Sequence, residues 1–549
     1  MFKKYVLPAI ITILAAAVNY YLTLPAMNIK SGGFWSFILF IAVVYIVLVL
    51  FFTGKAKISD LLKGVNPVEP KRIQFKKISK KSVKNTLIVV FAVAICVAGY
   101  IFVSSSKMFN ASKYQKMLTV TESNFNTDIA EIPLTQIPVV DRDTATRLGS
   151  RKIGEVVELV SQFNVSSYYT QINYHNEPVR VSPLEYADII KWFTNRNEGI
   201  PYYVKIDMAS QNTDLVELKE GMKYSPSEVF NRDLMRHVRF AYPTKMFDST
   251  SFEIDENGHP YWIISLYDYT IGFLGGYDIS GIVTVDAVTG EMVYYESNDV
   301  PQWIDCVYNA DVVLRQADFW GAYVNGFWNS LISQKNVVKT TAGYNYLAIN
   351  DDIWAYTGIT SVVADESNIG FILVNLRTKE AKTYSINGAE EYSAMSSAEG
   401  KIQEKGYKAT FPILVNIADT PSYFVSLKDS AGLVKAYSFV SVANYQIVGV
   451  ADTVAGAEAE YRRLLKESGK LNVENIGAGE PKTVTGKITA ISTAVVGGNS
   501  AYYIKIADSD KIFIAPVTLN DELPFMAIGR EVSITYTENS AGVSVNEIK

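Results

Sequence analysis

Three uncharged apolar runs within the first 103 residues constrain this chain more than any other feature. They are Tyr5–Leu24, Phe34–Phe52 and Thr86–Val103. Each holds ~18–20 residues, enough to cross a ~30 Å hydrocarbon core as a helix that satisfies its own backbone groups. The first contains Pro8 and Asn19, and its start, MFKKY, resembles the basic end of a signal peptide. Its apolar run exceeds the usual length of such a peptide, and a second run follows about ten residues later. A retained span is therefore expected.

Charge sets the expected orientation. Residues 54–85 carry ten Lys or Arg against Asp60 and Glu69, while the link between the first two runs carries only Lys30. The positive-inside rule places the N-terminus and the basic loop in the cytoplasm, and everything after about Ser104 outside. Residues 1–104 carry net +11 and the remainder −16, which together give the −5 of the whole chain. A basic loop between spans serves topology and anionic lipid headgroups. The acidic exterior disfavours nucleic acid as a partner.

The exported part reads as several domains. Residues 105–150, with PLTQIP at 133–138, are expected to be an extended linker that lifts the folded part off the membrane. Residues 151–335 and 336–470 read as two α+β domains with antiparallel sheets. Helical spacing is seen at 154–163, and strand alternation at 165–174 and 200–210. Ser182-Pro183 and Ser225-Pro226 predict helices over 182–196 and 224–243, with Ser182 as an N-cap. SFEIDENGHPYWIISLYDY (251–269) predicts a hairpin with an Asn-Gly turn. The chain holds 35 Tyr, and such richness suits half-exposed strands. After the Gly/Pro-rich stretch 474–481, residues 482–549 alternate through about five short strands. They suggest a small barrel of the OB or SH3-like kind.

One segment carries a family resemblance. The stretch GIVTVDAVTGEMVYY (281–295) follows the strand YWIISLYD and centres on Asp286-Ala-Val-Thr-Gly-Glu291. It resembles the PepSY module, a helix-plus-meander unit of bacterial exported and membrane proteins. A second segment, the predicted helix 389–406 followed by PILVNI and YFVSLKDSAGLVKAYSFVSVANYQIVGV, is similar in layout. It carries Ser441-Val-Ala-Asn-Tyr445 in place of the tail. The resemblance spans about a quarter of the chain. It implies a role in inhibiting or modulating peptidases or cell-wall hydrolases, with no catalysis by the module itself. From the residues alone, Asp286, Thr289 and Gly290 are structural: Gly290 supplies a positive φ, and Asp286 or Thr289 bonds the turn.

No zincin pair, serine elbow or phosphate loop is present in the sequence. Ser104 and Lys107 have Ser/Lys spacing without companion motifs. The only histidines are His175, His237 and His259, widely spaced, and the two cysteines, Cys96 and Cys306, are too far apart in character to pair. No catalytic residue, metal site or cofactor is predicted. Trp303, Trp320, Trp328, Trp354, Tyr344 and Tyr346 are dense enough to line a groove for sugar or peptide; sheet packing is the simpler reading.

The expected protein is a multi-pass, membrane-anchored component of the bacterial cell envelope. It has a large extracytoplasmic part and a non-catalytic binding or scaffolding role. Its expected partners are membrane lipids and an envelope protein or cell-wall glycan or peptide. The alternatives are an envelope hydrolase or its direct regulator, and a subunit of a membrane complex, homo- or hetero-oligomeric through its spans.

Overall fold

Arg239 ties the folded part of the first unit to the end of the first apolar helix. The computed structural model describes residues 2–549 apart from 54–79, 363, 469–481, 497–498, 508, 510, 521 and 540–541. Most of the basic loop and the Gly/Pro-rich link at 474–481 therefore lie outside the described residues. Among the described residues, three helical stretches are long and apolar enough to cross a membrane: Phe2–Thr23, Gly32–Phe52 and Phe91–Gln115. The first ends where Leu24 turns left-handed, at φ 48°.

The short link between the first two helices is seated on the folded domain. Arg239 Nε donates to Leu24 O (3.0 Å), Met27 N to Pro243 O (2.7 Å) and Asn28 Nδ2 to Thr244 O (3.2 Å). Lys30 pairs with Asp268 at 2.7 Å. The third helix delivers the chain to the same domain. Ser105 Oγ accepts from Phe273 N and Leu274 N, both at 3.0 Å, at the tip of a long hairpin. Tyr114 OH donates to Ser105 O (2.6 Å) and accepts from Gly276 N (3.2 Å). A Cβ on Gly272 would lie 2.3 Å from Ser104 O, so only glycine allows this approach.

Residues 105–150 are thus not an extended linker. They form helix Lys107–Gln115, strand Val120–Glu122 and helix Arg142–Gly154. Asn110 Nδ2 bridges the carbonyls of Val103, Ser104 and Ser106 at the kink after the third span. Polar composition here reflects capping and docking, not freedom from structure.

The chain divides into two compact units, Met1–Ser123 with Pro138–Glu390, and Asn124–Ile137 with Glu391–Lys549. The expected boundary at 335/336 does not divide it. Strand Val120–Glu122 pairs in parallel with Ala381–Tyr384, at the edge of a seven-stranded sheet. That sheet and a four-stranded meander share one core. Ile263 and Ile282 of the meander pack with Val313 and Ala317 of helix Ala310–Ala322 and with Ile353, Ile372 and Val374 of the sheet. The meander comprises Met246–Ile254, Pro260–Ile271, Gly275–Asp286 and Met292–Glu296. A five-stranded sheet, including Thr170–Tyr174, Glu177–Tyr186, Ile200–Asp207 and Thr213–Met222, completes the first unit.

Local expectations held at hairpins and failed at the two Ser-Pro helix starts. The hairpin at 251–269 and the turn at Asp286–Glu291 form as expected. The Ser-Pro helix starts do not. Ser182 and Pro183 lie inside strand Glu177–Tyr186, with Pro183 opposite Tyr203. The helix begins later, at Ile189–Asn195, capped by Asp188, whose Oδ1 accepts from Ile190 N and Lys191 N. Likewise Asp233, not Ser225, caps Leu234–Ala241. Residues 154–163 split between the end of helix Arg142–Gly154, a short turn of helix Val157–Val160 and the start of a strand. An aspartate supplies the same capping oxygen as a serine. Burial of strand Glu177–Tyr186 overrides the local helix signal.

The second unit contains a five-stranded sheet with helices Glu391–Lys401 and Val454–Glu467. The detached piece Asn124–Ile137 joins it through Asn416 Nδ2, which donates to Ile129 O (2.9 Å), and through the pair Glu131 and Arg462. Its last five strands close into a barrel, in the order Lys482–Val496, Asn499–Ile506, Phe513–Pro516, Gly542–Ile548 and Glu531–Asn539.

Candidate functional site

A two-residue turn builds the central feature of the first unit. His175 and Asn176 both take positive φ, 53° and 61°, as a type I′ hairpin turn demands. Counting back from it, Gln171 stands opposite Arg180 across strands Thr170–Tyr174 and Glu177–Tyr186. Arg180 Nη2 donates to Gln171 Oε1 (3.2 Å), and Nε donates to Val140 O at 3.4 Å. Because the guanidinium has no acceptor, the amide oxygen must face it, and the amide Nε2 is turned away. That nitrogen is buried and has no acceptor among the described residues.

Both side chains line a cavity of about 480 Å³. Its wall also takes in Arg142, Tyr168, Tyr344, Tyr346, Cys306 and the start of helix Ala310–Ala322. Arg180 is 7% exposed and Gln171 4%. Among the described residues, no carboxylate lies within ion-pair distance of Arg180 or of Arg142, whose Nη2 donates to Ser167 O at 2.7 Å. Burial pulls the Arg180 guanidinium below its usual range, opposed by Tyr346 and Asp141. The helix start adds backbone N–H dipoles, with Asn309 as its cap and Asp311, an exposed carboxylate, in its first turn.

Behind the cavity lies a buried acidic pair. Glu253 accepts from Asp305 N (2.9 Å), Cys306 N (3.3 Å) and Ser251 Oγ (2.9 Å). Asp305 Oδ2 accepts from Asn173 N (2.7 Å), and its Oδ1 has no partner among the described residues. Burial raises both carboxyls, Asp305 far above the usual range, with Glu253 adding to the shift. Burial and these same two carboxyls also push the Cys306 thiol well up. A thiol held protonated is a poor nucleophile. The site is therefore a set of fixed donors facing a cavity, with two buried carboxyls behind it whose acidity burial weakens.

The aromatic residues expected to line a groove separate. Tyr344 and Tyr346 line the cavity, their ring centroids 5.6 Å apart. Trp303 packs on Tyr261 at 4.9 Å, and Trp320 lies against the same core. Trp354 is buried in the seven-stranded sheet, and Trp328 is exposed on the short helix Phe327–Leu331. The histidines are dispersed: His175 stacks on Tyr174, His237 Nε2 contacts Gly290 O (2.8 Å), and His259 pairs with Asp286 at 3.0 Å. Among the described residues, no group of three or more His, Cys, Asp or Glu is arranged to hold a metal ion.

Sequence reasoning missed Arg180, Gln171 and Arg142. The one available signal was the His175-Asn176 dipeptide, which fixes the register that pairs Gln171 with Arg180.

The turn at 286–291 is structural. Asp286 Oδ1 accepts from Val288 N (2.8 Å) and Thr289 N (2.9 Å), and Thr289 Oγ1 accepts from Glu291 N (3.2 Å). Gly290 has φ 79°, and a Cβ there would lie 2.3 Å from the Tyr224 ring.

No family model and no curated protein matches the chain. Among solved structures, an exo-1,5-α-L-arabinanase from a bovine ruminal metagenomic library is 10% identical, aligning over 70% of this chain and 98% of its own, with a TM-score of 0.16. An ACO/RPE65 chimera is 9% identical over 69% of this chain and 60% of its own, with a TM-score of 0.13. Overlaps of this size carry no argument about fold or chemistry.

Proposed function

We propose that this protein is a membrane-anchored, non-catalytic binding protein of the bacterial cell envelope, and that the cavity beside Arg180 takes a small anionic ligand. One observation carries the reading: Arg180 and Gln171 Nε2 are buried donors on one cavity wall with Arg142 beside them, neither arginine is ion-paired among the described residues, and the carboxylate on that wall, Asp311, is exposed. A buried guanidinium costs several kcal/mol unless a counter-charge joins it, and a carboxylate or phosphate ligand would supply that charge. The tyrosines offer hydroxyls and flat apolar faces for the rest of the ligand.

Further features support the envelope reading. The link between the first two helices and the chain after the third reach one domain, as three crossings require. The ten basic residues in the sequence between the second and third helices support, by the positive-inside rule, an extracytoplasmic reading of that domain. The Asp286–Glu291 turn and the helix-plus-meander of residues 391–451 support the PepSY-like reading. The barrel's strand order, with Phe513–Pro516 running parallel to Gly542–Ile548, supports an OB-like reading, and in this protein an interaction module.

The test is thermal unfolding of the full chain in detergent, with inorganic phosphate, citrate or N-acetylmuramic acid, and with neutral N-acetylglucosamine as control. At a concentration 100-fold above Kd, a bound anion adds ~2.7 kcal/mol to stability. A saturable upward shift with at least one anion, absent in Arg180→Gln, is expected. A shift with the neutral sugar alone, or none with any anion, overturns the anionic reading. Hydrolysis of peptidoglycan that a single carboxylate substitution abolishes would overturn the non-catalytic one.

A further inference from the structure

Two exposed apolar patches flank the ends of the spanning helices. The first is built by helix Ile189–Asn195 and the segment before helix Leu234–Ala241. Ile190 is 68% exposed and Phe230 65%, beside the similarly exposed Ile189 and Phe193. Soluble surfaces rarely leave such residues contiguous without a partner. This patch is not loosely held. Glu228 accepts from Trp192 Nε1 (2.7 Å), Tyr186 OH (2.9 Å) and Arg232 Nε (3.1 Å), and Trp192 stacks edge-on to Phe230 at 6.0 Å.

Its position is fixed by Arg236. Arg236 Nη1 donates to Phe230 O (2.6 Å), while Nε donates to Tyr21 O (3.3 Å), and its guanidinium lies 4.3 Å from the Tyr21 ring centre. One side chain thus joins the patch to the last turn of the first span. Tyr21 lies two residues before the end of that helix at Thr23.

The second patch lies at the exit of the third span. An aromatic series runs from Tyr114 through Phe319 and Tyr323 to Phe327, at spacings of 5.2, 6.1 and 6.4 Å. It places helix Phe327–Leu331 against the helix that continues the span. On it, Trp328 is 59% exposed, and the following Ile332 is 77% exposed.

We propose that both patches insert into the headgroup–acyl boundary of the same bilayer that the spans cross, so that the first unit is seated on the membrane at two points. Aromatic and aliphatic side chains gain most at that depth, where an apolar body is buried and a polar edge stays wet. The cations around the first patch favour an anionic lipid: Arg196 lies over Phe193 at 4.6 Å, and Lys191 is on the same helix. The aliphatic stems of these residues can cover apolar surface while their heads reach phosphate.

The test uses the full chain in nanodiscs of phosphatidylcholine and phosphatidylglycerol. On a Cys96→Ser, Cys306→Ser background, a nitroxide is placed at Phe230→Cys, at Ile332→Cys and at Asn257→Cys. Asn257 sits in the turn at the far end of strand Pro260–Ile271 from the span-bound tip, ~40 Å away by strand rise. Collision with oxygen should exceed collision with a water-soluble nickel chelate at 230 and 332, and the reverse should hold at 257. Three water-like sites overturn the proposal, as does protection from both reagents at 230 or 332, the signature of a protein partner or second copy. A lipid-like signal at only one patch overturns the two-point seating.

Discussion

Gln171 and Arg180 face each other across a two-residue turn, and the amide oxygen of one accepts from the guanidinium of the other at 3.2 Å. The pair faces a cavity rather than a counter-charge. A site kept for binding should cost stability, and that separates it from a structural ion pair.

Gln171→Leu alone removes what is, among the described residues, the side-chain acceptor of a buried cation, and should destabilise the protein by ~2–3 kcal/mol. Gln171→Leu with Arg180→Met removes donor and acceptor together and should recover most of that loss. Urea unfolding of both variants checks this. A double variant as damaged as the single one would mark the pair as a structural element.

Asp305 gives a pH dependence with a defined sign. Its folded carboxyl lies above the unfolded value because of burial and the nearby Glu253. The folded state therefore holds the extra proton, and stability falls as pH rises through the window above the ordinary Asp range. Asp305→Asn keeps the acceptor for Asn173 N and should flatten this slope, with its largest relative gain near neutrality. Unfolding midpoints between about pH 4 and about pH 8 measure it. An unchanged slope would show that Asp305 is ionised throughout.

Gly290→Ala meets both a left-handed backbone and the Tyr224 ring. A loss of ~3 kcal/mol is expected. Calorimetry of the purified chain checks it, and a fully stable variant would require the turn to rearrange.

Arg239 is buried and donates to Leu24 O, Tyr242 O and Lys245 O. Arg239→Ala should cost ~2–3 kcal/mol and raise hydrogen exchange across residues 24–31. Lys30→Ala removes an ion pair half-exposed to water and should change stability by less than ~1 kcal/mol. Equal effects of the two would mean that the link is held by charge rather than by backbone bonding.

The sequence by itself determined where apolar length, turn chemistry and alternation act locally. Three uncharged runs make three long helices. Asp286-Ala-Val-Thr-Gly-Glu291 makes a tight turn because only glycine relaxes at its φ, and strict alternation after residue 482 makes a five-stranded barrel. Tertiary structure decided the rest. Ser182-Pro183 went into a strand because that strand is buried, and burial outweighs a cap. Residues 105–150 became docked helices and a sheet edge because their partners, Phe273, Gly276 and Ala381, lie over a hundred residues away. The cavity was decided there too: Arg142, Arg180, Cys306 and Tyr346 carry no common spacing, and only the packing of two sheets and a helix start brings their side chains to one wall.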